Sequence, residues 1–88
     1  MREFYYTIKD KNGLHARPAG MLASVSKGYE SSVIIYNGEK QADGKRILSI
    51  MSLGAKCGTR LRFVIDGVDE REAESSIKEY CETKLDGE

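Results

Sequence analysis

Apolar positions along the chain switch between a period of two and a period of three to four, and the switches divide it into seven segments. Residues 3–8 alternate so that Phe4, Tyr6 and Ile8 share one face, as in a half-buried strand. Lys11-Asn12-Gly13 breaks this run as a turn. Pro18, Met21, Leu22 and Val25 then recur at helical spacing and predict an amphipathic helix over 16–27, with Gly28 placed to end it. The β-branched run at 32–36 predicts a second strand, and Asn37-Gly38 is a hairpin signal that returns the chain into a third strand over about 39–43. Residues 46–53 form a short apolar segment, expected as a two-turn helix stopping at Gly54. After a bend at Cys57-Gly58, residues 59–66 set Leu61, Phe63 and Ile65 against Arg60, Arg62 and Val64, a further half-buried strand. Ala73, Ile77, Tyr80 or Cys81, and Leu85 lay an apolar stripe along a last helix that begins near Asp69.

The order βαββαβα implies an α+β fold in which helices cover one face of a sheet. Its first six elements also fit a ferredoxin-like domain, and the pattern alone does not separate the two. With 88 residues there is room for a single domain over 1–88, one that buries only about 60–65% of the surface its unfolded chain exposes. Apolar residues at 40% and charged residues at 32% fit a soluble globular protein. No apolar run approaches the roughly 20 residues that span a bilayer, and the first ten residues carry Arg2 and Glu3 where a signal segment would be apolar. The expectation is therefore a cytoplasmic protein without membrane insertion.

Charge narrows the partners. Fourteen basic and fourteen acidic residues cancel, whereas proteins that bind phosphate backbones carry a basic excess, so no nucleic-acid partner is expected. An RNA-binding sheet would also show face aromatics with basic flanks, and Phe63 is nearly alone on its strand. Cys57 and Cys81 lack C-x-x-C spacing and are expected to be two buried thiols. One histidine and two scattered cysteines offer no metal-ligand cluster, so neither metal nor cofactor is expected.

Chemistry concentrates in Gly13-Leu14-His15-Ala16-Arg17-Pro18-Ala19. His15 is the only histidine and lies where the turn meets the first helix. A neutral imidazole is a competent nucleophile near neutral pH. A helix start offers unpaired N–H groups and the positive end of the helix dipole, both suited to phosphate. Pro18 in the first turn gives up an N–H that has no partner there, and Arg17 adds a permanently charged fork that can pair with phosphate oxygens. On these grounds alone His15 also fits a polar cap or a plain surface residue.

The same seven residues resemble the active-site signature of the histidine-containing phosphocarrier protein (HPr) family of the bacterial sugar phosphotransferase system. The likeness extends over about eighty residues. Asn37-Gly38 falls at the family's hairpin, Met51-Ser52-Leu53-Gly54 at the end of its second helix and Cys57-Gly58-Thr59 at the entry to its fourth strand; Asp66-Gly67-Val68-Asp69-Glu70 opens its last helix. The resemblance implies an open-faced β-sandwich, a four-stranded antiparallel sheet with three helices on one face. It implies that His15 is phosphorylated at Nδ1 by phosphorylated enzyme I and donates to enzyme IIA domains, a phosphoryl-transfer intermediate and not a stand-alone enzyme. Arg17 would steady the phosphoryl group, which the backbone amides of Ala16 and Arg17 would face. Ile47, Leu48 and Met51, with Gly20 and Lys27, would form the partner-docking surface of a monomer. A five-residue apolar set on so short a helix cannot all face inward, and Ile50 and Leu53 are assigned to the core.

Two departures from the family pattern stand out. Where Gram-positive members carry a regulatory serine, this chain has Arg46 after Lys45, so control by serine phosphorylation is expected to be absent. Ser49 and Ser52 do not align with that site and are expected to be helix-surface or packing residues. The spacing from Asn37-Gly38 to Arg46 is about one residue long for the family, which predicts a shifted or bulged third strand. The alternative function is that of an HPr-like paralogue acting as a regulatory binding module outside sugar transport; such diversions often lose the histidine that this chain keeps.

Overall fold

The structure, a computed structural model, describes residues 1–85. Strand β1 (Arg2–Thr7) is followed by α1 (Ala16–Lys27), β2 (Ser32–Asn37), β3 (Lys40–Asp43), α2 (Ile47–Met51), β4 (Arg60–Asp66) and α3 (Glu70–Lys84). The strands form one sheet in the order β1-β4-β2-β3, every neighbouring pair antiparallel. Alternation along each strand sends Phe4, Tyr6, Val33, Ile35, Leu61, Phe63 and Ile65 to one face, where Phe4 stacks on Phe63 with ring centroids 4.7 Å apart. The three helices close that face with Ala19, Leu22, Ala23, Ile50, Ala73, Ile77 and Cys81, completing a single core. Among the described residues, no helix is long and apolar enough to cross a membrane.

The uncovered face carries Tyr5 and Tyr36, with the Arg60 guanidinium 4.1 Å from the centre of the Tyr5 ring and that of Arg62 4.8 Å from the Tyr36 ring. Open-face aromatics with basic neighbours therefore exist. They come from β1 and β2, while Phe63, on the inner face, belongs to the core.

Several details differ from the sequence expectation. The buried face of α1 is Ala19, Leu22, Ala23 and Ser26; of the expected stripe Leu22 is fully buried and Val25 packs partly buried against the core, whereas Met21 is 47% exposed. Small residues let the helix sit close to the sheet, and the Ser26 hydroxyl remains buried because it donates to the Leu22 carbonyl at 3.0 Å. Gly28 ends α1 in right-handed geometry, φ −71°, without a left-handed cap. Helix α2 is shorter than expected, five residues capped by Ser52. Strand β3 carries no bulge: its pairing with β2 runs unbroken from Asn37–Lys40 to Ile34–Asp43. The chain turns only beyond it, where Gly44 donates to the Val33 carbonyl at 2.7 Å and the Lys45 amide to Asp43 Oδ1 at 2.9 Å. The hairpin loop is Gly38-Glu39, with Asn37 still in the strand and positive φ only at Gly38, the glycine position of a type II′ turn. Cys81 is buried as expected but Cys57 is exposed, because it sits at the tip of the turn entering β4.

Candidate functional site

His15 is the N-cap of α1, extended at φ −89° and ψ −172°, and its carbonyl accepts the first helical bond from Ala19 at 2.9 Å. Its ring caps nothing and its side chain is 44% exposed, so the imidazole is open to solvent at the mouth of the helix. The amides of Ala16 and Arg17, in the first turn, have no acceptor within the helix, and Pro18 has no N–H to leave unpaired. Arg17 is exposed, and among the described residues no carboxylate pairs with its guanidinium.

The turn before His15 is held by main chain from a distant part of the sequence. Leu14 donates to the Ala55 carbonyl at 3.0 Å, and Gly13, at φ +71°, approaches that oxygen so closely that an added Cβ would lie 2.5 Å from it. Ile8 exchanges hydrogen bonds with Gly58 and Thr59, anchoring the other end of the turn. Asp10 folds the turn on itself. Its Oδ1 accepts from the Asn12 amide at 2.8 Å and its carbonyl from Gly13 at 2.9 Å. Its Oδ2 lies 3.8 Å from His15 Nε2, and its side chain is only 8% exposed.

Beside His15 opens a depression of about 370 Å³ lined by Asp10, Asn12, Arg17, Pro18, Met21 and, from the end of α3, Tyr80, Lys84 and Leu85. Reading the sequence missed Asp10, Asn12, Tyr80 and Lys84. Asp10-x-Asn12-Gly13 is a recognisable Asx-turn pattern, whereas the arrival of α3 at this point has no local signal. Among the described residues no three His, Cys, Asp or Glu side chains group as metal ligands would.

The residues expected for docking are only partly gathered. Ile47, Leu48 and Met51 are exposed at 42%, 80% and 38%, whereas Ile50 and Leu53 are buried. An added Cβ at Gly20 would sit 3.6 Å from the Ile47 side chain, so the exposed side of α2 adjoins the middle of α1. Lys27 lies at the far end of α1, about 18 Å from His15 along the helix axis. Arg46 is the N-cap of α2, exposed and without a side-chain cap. Lys45 has a structural role that the sequence did not reveal: its ammonium turns away from α2 and donates to the Tyr29 carbonyl at 2.8 Å, just past the C-terminus of α1, where a cation is favoured. Ser49 and Ser52 are engaged locally, Ser49 Oγ accepting from the Asp43 amide and Ser52 Oγ donating to the Ser49 carbonyl.

With this geometry in hand, comparison with known families is decisive. Residues 2–83 match the family described as the PTS HPr component phosphorylation site. The chain belongs to the HPr family. It is 39% identical over 79 residues to the phosphocarrier protein HPr of Mycoplasma capricolum, spanning 90% of this chain and 89% of that one. It is 36% identical to part of the multiphosphoryl transfer protein of Haemophilus influenzae, 94% of this chain against 17% of that protein. The crystal structure of an HPr from Thermoanaerobacter tengcongensis superposes with a TM-score of 0.92 at 34% identity, covering 100% of this chain and 99% of that one. The fold is thus the HPr open-faced β-sandwich, and the ferredoxin-like alternative is set aside. The chain is a member of the phosphocarrier family of the phosphotransferase system.

Proposed function

We propose that this HPr-family chain acts as a monomeric cytoplasmic carrier, a single domain over 1–88, in which His15 Nδ1 takes a phosphoryl group from phosphorylated enzyme I and yields it to enzyme IIA domains. The observation that most supports this reading is the exposed, uncapped imidazole of His15 at the N-terminus of α1, with the Ala16 and Arg17 amides and the Arg17 guanidinium at the same helix start. There the first-turn amides and the helix dipole offset the phosphoryl charge, and Arg17 stabilises it during transfer. Ile47, Leu48 and Met51 supply an apolar contact for both partners, Gly20 adjoins it beside Ile47, and Lys27 contributes to docking from the far end of α1. Arg46, lacking a hydroxyl, leaves the carrier without serine control.

The test is incubation with labelled phosphoenolpyruvate and enzyme I. Parent protein is expected to acquire an acid-labile phosphoryl adduct, and His15→Ala none while it remains folded. Labelling of the mutant would reject the assignment. Arg17→Ala is expected to slow transfer by roughly a hundredfold without moving the label. Labelling by enzyme I that no enzyme IIA can discharge would favour the regulatory-module alternative.

A further inference from the structure

The geometry points to Asp10 as the positioning residue that holds the His15 proton on Nε2 and so keeps the Nδ1 lone pair available for phosphoryl transfer. It rests on the reading of His15 as acceptor and deepens it.

The Asp10 carboxylate is divided between two tasks. Oδ1 is occupied by the Asn12 amide at 2.8 Å, which fixes the side chain, and Oδ2 is turned to His15 Nε2 at 3.8 Å. With its side chain 8% exposed and its backbone tied to Gly13, the carboxylate cannot swing away into solvent. At 3.8 Å the contact is an ion-pair distance, longer than a hydrogen bond, and catalytic contacts of this kind tighten when substrate arrives. A carboxylate accepts hydrogen bonds and donates none, so it favours the tautomer with hydrogen on Nε2. Nδ1 is then the nitrogen with the free electron pair.

The same carboxylate acts during the step itself. The Nδ1 lone pair forms the N–P bond, the bond from phosphorus to the donor's leaving atom breaks, and its electron pair stays with that atom. The Nε2 proton is retained, so the ring becomes positive, and Asp10 lies beside the edge where that charge is carried. In the return step the ring departs from phosphorus with the N–P electron pair and is again the neutral Nε2–H tautomer. Asp10 touches neither phosphorus nor the attacking nitrogen; it acts through His15.

Imidazole nitrogen-15 NMR of the unphosphorylated protein tests the tautomer without reference to transfer. In the parent, Nε2–H is expected to dominate; a dominant Nδ1–H form would overturn the proposal without any variant. Asp10→Asn retains an oxygen for the Asn12 amide and offers Nε2 an N–H donor, so it is expected to lower the ratio of Nε2–H to Nδ1–H by about threefold or more, the scale of one exposed ion pair, and to slow phosphoryl uptake in proportion. Asp10→Ser keeps a turn-capping oxygen without the charge and is expected to fall between the two. An unchanged tautomer ratio in folded Asp10→Asn, with the label still on His15, would overturn the role of Asp10 alone. A label found on another residue would overturn the acceptor assignment, whatever the NMR shows.

Discussion

Replacing Gly13 by alanine tests whether the turn that presents His15 depends on close approach of two backbones. Two penalties are separable. Gly13 has φ +71°, a region that costs an L-residue about 1–2 kcal/mol. Its new Cβ would also lie 2.5 Å from the Ala55 carbonyl oxygen and 3.0 Å from Lys56 Cα, both main-chain atoms that cannot rotate aside. Relieving that overlap costs about 1–3 kcal/mol, and it stretches the Leu14–Ala55 hydrogen bond, worth about 0.5–1.5 kcal/mol. The whole effect is about 3–5 kcal/mol, a large part of the stability of a domain this size. Gly38 supplies the control: its φ is +63°, yet an added Cβ there meets nothing within 4 Å, so Gly38→Ala should cost only the dihedral penalty. The difference between the variants, about 2–3 kcal/mol, corresponds to about 10–20 °C in Tm. Thermal unfolding followed by circular dichroism measures both, and backbone amide shifts at Leu14–Ala16 report whether the turn has moved. Equal Tm values for the two variants would refute the claim that contact with Ala55, beyond backbone conformation, shapes this turn.

Leu48→Glu should weaken docking to enzyme I by roughly tenfold, since a charge must be desolvated in an apolar contact, while Tm hardly changes because the side chain is 80% exposed; unaltered affinity in an NMR titration would remove α2 from the interface. The Asp69 carboxylate is held below the usual range by the Ser31 hydroxyl, then by the Glu30 and Ser31 amides. A depressed pKa contributes stability that is present above the unfolded carboxyl value, about 3.9, and lost as pH falls through the folded one. Asp69→Asn should therefore lower Tm at pH 7 and leave a shallower decline of Tm below pH 4; parallel profiles for variant and parent would contradict the clamp. HPr kinase with ATP should leave the chain unmodified, and Arg46→Ser should restore modification; phosphoserine at Ser49 or Ser52 of the parent, seen by mass spectrometry, would overturn the absence of serine control.

Elements with strong period-two alternation were legible because their signal is local. In β4, Leu61, Phe63 and Ile65 had to share a face whatever they met there, and all three are buried. Helix α1 was located correctly, with Leu22 inward and Val25 against the core as expected, but its buried stripe extends to smaller residues and leaves Met21 out, for a physical reason. Close packing of a helix on a sheet favours small side chains, so Ala19, Ala23 and Ser26 point inward, while the larger Met21 is left beside His15 at the rim of the depression. Ranking positions by bulk alone finds Leu22 but misses these small inward residues. Helix α2 reversed the difficulty: five residues are too few for periodicity to orient, and counting shows only that so short a cylinder cannot bury all its apolar side chains. It was the family resemblance that set Ile47, Leu48 and Met51, now seen exposed, apart from buried Ile50.

The candidate site divides along the same line. His15, Arg17 and Pro18 are contiguous with a helix start, and their relation to one another follows from helix geometry alone. What holds that start in place is not contiguous with it. Ala55 lies under Gly13, Gly58 and Thr59 secure Ile8, and Lys84 reaches the depression from the end of the last helix. Each of these contacts is made by main chain or by a long side chain, so residue identity encodes it weakly and only the closed sheet brings the partners together. Asp10 lies between the two cases. Its turn with Asn12 is local and readable, but the approach of its second oxygen to His15 Nε2 requires the turn to be closed from below by the 55–59 segment. The loop that enters β4 thus contributes no side chain to the depression and still governs its geometry, so substitutions near Ala55 should disturb His15 more than equally exposed changes in the Gly38-Glu39 hairpin.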